Sequence, residues 1–252
     1  HGLVFRGLAF PLDASVFAWK WLGLSALIGF CIGDLLLFRA FVLMGSRLSM
    51  LIMSAVPPIT ALTGWLIMGE TLTVKSWVGM GLTMSGIIMV LLLKSSEGGR
   101  VKSTGNNEGN IAKGLLYAAG GAVGQALGLV LSKYGMRDFD AFAATHIRVL
   151  VGAAGFALIF TLSGSWHKVF TAVRNSKAMN GILLGSLFGP FLGVSFSLLA
   201  IQYTDTGIAS TIMSIVPVMI IPPAIILFKE NISWREVVGS CIAVIGVGIL
   251  FF

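Results

Sequence analysis

Charge is scarce in this sequence. Only 11% of its 252 residues are Asp, Glu, Lys or Arg, while 56% are apolar, against about 25% and 45–50% in soluble domains. A soluble globule of this length needs a charged surface, so the composition excludes one. Cysteine is equally sparse. Cys31 and Cys241 lie in apolar stretches without ligand-like spacing, which gives no disulfide framework and no metal site. There is no His-Glu-x-x-His, no nucleophile elbow and no basic run interleaved with aromatics. Metal-dependent hydrolysis, serine hydrolysis and nucleic-acid binding therefore have no sequence support, and no cofactor is implied.

What the chain has in excess is apolar length and glycine, 32 residues of it. A helix needs about 20 mostly apolar residues to cross the ~30 Å hydrocarbon core, because lipid offers the backbone no hydrogen bonds. Eight stretches qualify: 21–43, 48–68, 76–93, 114–132, 141–162, 179–202, 206–228 and 237–252. These predict an all-α polytopic membrane protein with the lipid bilayer as its partner and a cell membrane, inner or plasma, as its location. The net charge of +7 fits loops anchored on a cytoplasmic face rather than an affinity for nucleic acid. The chain opens His1-Gly2-Leu3, with no initiating Met, basic n-region or cleavage pattern, and is expected to be a fragment.

A shift of 160 positions lays 21–92 on 181–252 without a gap and gives 14 identities, where this composition would give about 6 by chance. Met53-Ser54-Ala55-Val56-Pro57 meets Met213-Ser214-Ile215-Val216-Pro217, Glu70 meets Glu230, Gly79 meets Gly239 and Gly86 meets Gly246. The matched spans are five crossings apart. Five is odd, so the copies are expected upside down relative to each other, as in many secondary transporters. The Ser, Gly and Asn-rich stretch 94–113 reads as a linker between a first repeat, 1–93, and a second, 114–252. The second holds two spans that the first lacks, which predicts about one and a half helices ahead of His1.

The doubled pattern of Pro57 to Glu70 followed by Gly79 and Gly86, and Pro217 to Glu230 followed by Gly239 and Gly246, resembles the EamA-like branch of the drug/metabolite transporter superfamily. Ile32-Gly33-Asp34 to Arg39-Ala40 is similar to it as well. The resemblance covers essentially the whole chain. It implies ten helices in two inverted five-helix repeats, of which about eight are complete here, and transport of small metabolites, amino acids or drugs. The sequence departs from the pattern at Lys229-Glu230, where the first copy reads Gly69-Glu70.

Small residues recur every four positions at Gly181, Gly185, Gly189 and Gly193, at Ser25, Gly29 and Gly33, and at Gly120, Gly124 and Gly128. That spacing puts them on one helix face, where backbones can approach closely. Such faces are expected to pack tightly, or to let one bundle rock against another. Pro57-Pro58, Pro190, Pro217 and Pro222-Pro223 fall within spans, and each removes a backbone donor. The symmetric pair Pro57 and Pro217 points to a hinge or a substrate cavity. Glu70 and Glu230 stand where their spans leave the apolar layer, placed to cap the next helix near Thr73 or Ser233.

Ionisable groups deeper in the spans each cost ~2.5–3.5 kcal/mol at mid-membrane on insertion scales. Asp34 is one. Arg39, five residues on, stands about 140° around the helix and is poorly placed to pair with it, so Asp34 needs a partner from elsewhere or must be neutral. Arg148 is a candidate countercharge for a substrate carboxylate or for Asp34, or else snorkels to the interface. His146 points to nearly the opposite face. Gln125, Ser195, Gln202 and Tyr203 are the uncharged polar groups that would line a path, unless each serves only an interhelical hydrogen bond.

Lys and Arg number 11 on one side (Arg39, Arg47, Lys94, Arg100, Lys102, Lys113, Lys168, Arg174, Lys177, Lys229, Arg235) and 5 on the other (Arg6, Lys20, Lys75, Lys133, Arg137). The positive-inside rule then puts the linker in the cytoplasm and Phe252 outside, whereas the resemblance implies both ends inside. The function expected is a secondary-active or facilitative carrier of small polar or amphipathic metabolites by alternating access, with protons at Asp34 as the candidate coupling ion. A non-transporting scaffold is the rival. An intramembrane aspartyl protease is disfavoured because no second mid-span Asp completes the carboxylate pair.

Overall fold

The computed structural model describes residues 11, 13–97, 108–219 and 234–251, and among them the only regular structure is helical. Helix α1 (Val16–Ala26) continues through a π-helical stretch, Leu27–Gly33, into α2 (Asp34–Met44). Then come α3 (Ser46–Met53), α4 (Val56–Met68), α5 (Val74–Glu97), α6 (Glu108–Met136), α7 (Ala141–Leu162) and a short α8 (Trp166–Arg174). Next, α9 (Ser176–Ser186) leads through a second π-helical stretch, Leu187–Gly193, into α10 (Val194–Tyr203). Helices α11 (Thr206–Met213), α12 (Val216–Met219) and α13 (Trp234–Phe251) follow.

Five helical runs are long and apolar enough to cross a bilayer: Val16–Met44, Leu48–Met68, Ala112–Met136, Ala141–Leu162 and Met179–Tyr203. Val74–Val90 and Val237–Leu250 are shorter apolar helices. The fold class is that of an all-α polytopic membrane protein. The remaining expected span, 206–228, is described only to Met219.

Helix ends follow from local chemistry. The Ser15 hydroxyl accepts from the Ala18 N–H at 3.1 Å and opens α1. The Asp140 carboxylate does the same for Ala143 at 2.8 Å and opens α7. Each occupies one of the donors that a helix N-terminus leaves unpaired. Helix α4 stops at Gly69, whose φ of 71° is a left-handed conformation that costs a residue without a side chain nothing extra.

The 160-residue shift reappears in the backbone. Helices α9, α10, α11, α12 and α13 start 160 positions after α1, α2, α3, α4 and α5, and Leu187–Gly193 stands 160 positions after Leu27–Gly33. Even the irregularities repeat. Ser54 and Ser214 each close a helix and donate the hydroxyl to a carbonyl three residues back, Leu51 at 2.6 Å and Thr211 at 2.8 Å.

That recurrence shows where the helix breaks lie relative to the prolines. Pro57 and Pro58 occupy the first positions of α4, where a missing N–H costs little, and the break lies in the turn before them at Ser54 and Ala55. Pro217 lies in the equivalent short helix α12, while Pro222, Pro223 and Glu230 lie outside the described residues. Pro190 sits inside the second π-helical stretch, but Phe30 holds that place in the first, so the widened turn does not depend on proline.

The chain divides into two compact units. One comprises residues 1–31 and 128–203, the other residues 32–127 and 204–252. In the second, α5 and α13 pack closely. A Cβ on Gly79 would lie 3.0 Å from the Gly246 carbonyl oxygen, and one on Gly86 would lie 2.5 Å from that of Gly239. Gly246 is the repeat equivalent of Gly86, and Gly239 that of Gly79. The contacts are therefore reciprocal, and they run up one helix and down the other. This is the signature of a two-fold relation between repeat-equivalent, antiparallel helices. Ile87, Val90, Ala243 and Val218, with Ile215 against them, fill the core beside this crossing.

In the first unit, a Cβ on Gly128 would meet the Gly29 Cα at 2.9 Å and the Ser25 carbonyl oxygen at 3.2 Å. This part of the small-residue ladder packs as expected. At Gly181, Gly185 and Gly189 no described residue lies within 4 Å of a Cβ placed there. Small residues permit close approach without compelling it, and α9 has no described neighbour on that face.

Candidate functional site

The π-helical stretch Leu27–Gly33 ends at Asp34, the first residue of α2. Two glycines of α6 set this segment's depth in the second unit. A Cβ on Gly120 would meet Leu36 at 3.0 Å, and one on Gly121 would meet the Gly33 carbonyl oxygen at 3.2 Å. One turn further along α6, the Gln125 side-chain amide donates to Asp34 Oδ1 at 2.5 Å. Both side chains are half-buried. A carboxylate on an apolar helix thus has a donor from a helix distant in sequence, as the unfavourable Asp34–Arg39 geometry required. Arg39 itself is exposed.

In the first unit the polar candidates fall along α7 and α10. Arg148 is 5% exposed and its guanidinium carbon lies 4.4 Å from the centre of the Phe30 ring, an arrangement that stabilises a cation away from water. The snorkelling alternative is therefore not what the structure adopts. The π-helical turn that carries Phe30 also places Cys31, whose thiol lies 3.6 Å from the Gly152 carbonyl oxygen, and Phe30 fills the space beside Gly152. His146 is half-buried on α7.

Ser195 and Gln202 differ in what they meet. The Ser195 hydroxyl is fully buried and has no hydrogen-bond partner among the described residues. The Gln202 amide donates to the backbone carbonyls of Arg137 at 3.3 Å and Phe139 at 3.4 Å. It ties the end of α10 to the α6–α7 connection. Tyr203 is 82% exposed and does not join them, because one residue further along a helix is 100° further around it.

Glu70 does not cap the helix that follows it. Thr73 performs that role, accepting from the Ser76 N–H at 3.2 Å. Glu70 Oε2 instead accepts from the backbone N–H of Thr206 at 2.9 Å and from its hydroxyl at 2.6 Å. Asp205, at the N-cap position of α11, makes no side-chain cap bond. Glu70 thus caps α11 from outside, as the positive end of the helix favours. Beside this clasp Ala61, Trp65, Glu70, Thr71, Leu72 and Trp77 line a cavity of about 250 Å³.

Sequence reasoning did not single out Phe30 or Thr206. The signal for Phe30 was its place opposite Pro190 under the 160-residue shift, and for Thr206 its place opposite Ser46, another hydroxyl at a helix start. No group of three or more His, Cys, Asp or Glu side chains that could hold a metal occurs among the described residues.

No curated protein matches the chain. A solved crystal structure is similar in fold, with a TM-score of 0.71 at 16% sequence identity; the match covers 99% of this chain and 80% of that one. The EamA-like transporter family matches residues 2–92 and 112–252. With both helical repeats accounted for by that match, the chain is a multi-pass membrane protein and belongs to the EamA-like transporter family of the drug/metabolite transporter superfamily.

Proposed function

We propose that this chain is a secondary carrier in the cell membrane that moves small polar or amphipathic metabolites by alternating access, with a proton coupled through Asp34. The observation that carries this reading is the Asp34–Gln125 pair. An acid in an apolar span serves no folding need that an apolar residue would not serve better. One donor to it is a neutral amide, which can donate to the carboxylate or accept from the acid. The pair can therefore hold together through loss and return of a proton. Arg148, kept buried over Phe30, is the group proposed to meet an anionic part of the cargo. Ser195, His146 and Gln202 are proposed as neutral polar groups along the path. The symmetric breaks before Pro57 and Pro217 are proposed as the hinges on which the repeats move.

Reconstitution into liposomes tests this. Uptake of a panel of labelled amino acids is measured with and without an imposed pH gradient. The carrier reading expects saturable uptake that the gradient accelerates and that Asp34→Asn no longer couples, with the thermal midpoint unchanged. Gradient-driven uptake that survives Asp34→Asn removes the proton role. Failure of a wider metabolite panel to move at all favours the scaffold.

A further inference from the structure

Between the spans Ala141–Leu162 and Met179–Tyr203 the chain forms the short helix α8, Trp166–Arg174. Two consecutive spans leave and re-enter the apolar layer on one side, so residues 163–178 stay at that side. Helix α7 closes at Ser163, and Gly164, with a φ of 61°, turns the chain. The Trp166 indole N–H then donates to the Thr161 hydroxyl at 3.0 Å, and its ring centre lies 6.2 Å from that of Phe160 and 6.1 Å from that of Phe170. The start of α8 is thereby fixed against the end of the span. At about 100° per residue, Val169, Val173, Trp166 and Phe170 fall within one arc of about 100°, while Arg174, His167, Thr171 and position 168 fall within another of about 120° across the axis. Phe170 is 63% and Val173 54% exposed.

We propose that α8 lies in the headgroup layer as an interfacial anchor that selects anionic phospholipid. The two faces require different surroundings. Trp166, Phe170 and the two valines match the boundary between headgroups and acyl chains, where indoles concentrate and the apolar face of such a helix is buried. The other face needs negative charge to meet it. Lys168 and Arg174 belong to α8 and Lys177 follows it, whereas no Asp or Glu occurs between Asp140 and Asp205. Asp140 caps the opposite end of α7, about 33 Å away along a helix of that length. Anionic lipid is the surface that presents negative charge directly beside an apolar layer, and it attracts basic residues held at the headgroups. A soluble partner would have to displace lipid from a helix that two spans hold at the bilayer surface.

The assignment holds whether or not the chain carries a solute, since it concerns the lipid around one helix. The test uses the full chain with a nitrobenzoxadiazole fluorophore attached at Val173→Cys in a Cys241→Ser background; Cys31 is buried and Cys241 exposed. The protein is reconstituted in vesicles of phosphatidylcholine and phosphatidylglycerol. The label at 173 should emit as in an apolar medium and be quenched by lipids brominated on their acyl chains, whereas the same label at Thr171→Cys should emit as in water and escape quenching. Competition between the two brominated lipids should give a preference of at least about fivefold for phosphatidylglycerol, the ratio expected from one basic residue at the surface. Replacing all three cations, Lys168→Gln with Arg174→Gln and Lys177→Gln, should abolish the preference, while Lys168→Arg with Arg174→Lys and Lys177→Arg should keep it. Water-like emission at 173 overturns the proposal, and so does apolar emission without quenching, which would mean that protein covers this face. Equal quenching by both lipids, or a preference that survives loss of the three cations, overturns it as well.

Discussion

Glu70 caps a helix that begins 136 residues further along the chain, at Thr206. The carboxylate accepts from both the N–H and the hydroxyl of that residue, and it stands at the positive end of α11. Helix caps contribute about 0.5–2 kcal/mol, and bonds to a charged acceptor lie in the upper part of such ranges. Glu70→Ala should therefore lower stability by about 1–2 kcal/mol, measured by unfolding in detergent micelles. Thr206→Ala keeps the N–H and should cost less. The double variant should lose no more than Glu70→Ala alone, because one acceptor serves both bonds. Additive losses would show that Glu70 acts on something other than Thr206.

The glycines of α5 divide sharply by surroundings. A Cβ on Gly86 would lie 2.5 Å from both the Ala243 nitrogen and the Gly239 carbonyl oxygen, which are backbone atoms that cannot rotate away, whereas no described residue lies within 4 Å of one on Gly81. Gly86→Ala should force α5 and α13 apart and cost several kcal/mol, within the upper range for overpacked sites. Gly81→Ala should be neutral or stabilising by up to about 1 kcal/mol, the usual gain within a helix. Comparing the two thermal midpoints checks this. Similar values would mean that the crossing is not built as described.

Much of this was legible in the sequence because hydrophobic length and internal repetition are read directly from residue order. The shift that aligned Pro57 with Pro217 also located the starts of the five helices from α9 to α13. The Asp34 problem was legible too: helical geometry separated it from Arg39, and an unmet polar group in lipid requires a donor. Which donor it has was not legible, because Gln125 reaches it only through the packing of α6 at Gly120 and Gly121. Glu70 was assigned to the neighbouring helix because sequence shows only neighbours, whereas the helix it caps is made adjacent by folding. The ladder at Gly181, Gly185 and Gly189 has the same spacing as the packed one at Ser25, Gly29 and Gly33, so spacing alone could not tell a face with described neighbours from one without them.

Ser195 offers a separation of stability from function. Its hydroxyl is fully buried and lacks a described hydrogen-bond partner, and such a group costs about 1–3 kcal/mol relative to a satisfied one. Ser195→Ala removes the oxygen and leaves little space behind, so it should raise stability by about 1 kcal/mol. If the hydroxyl belongs to the transport path, the same variant should lower uptake in liposomes. A destabilised protein would mean that the hydroxyl is bonded in the membrane-embedded chain.

The two π-helical stretches allow the cause of a distorted turn to be tested. Proline inside an α-helix costs ~3 kcal/mol or more, through a lost hydrogen bond and a clash with the preceding turn. At Pro190 the turn is already widened, and the same widening occurs at Phe30 without proline. The shared glycines, Gly29 with Gly189 and Gly33 with Gly193, remain as sequence features common to both. Pro190→Ala should then change stability by less than about 1 kcal/mol, because the substitution restores a donor where the hydrogen-bond pattern is shifted anyway. Amide hydrogen exchange over 187–194 should keep its pattern apart from the new amide at position 190. A gain near 3 kcal/mol, with new protection throughout that stretch, would show that the proline holds the turn open and that the likeness to Phe30 is coincidental.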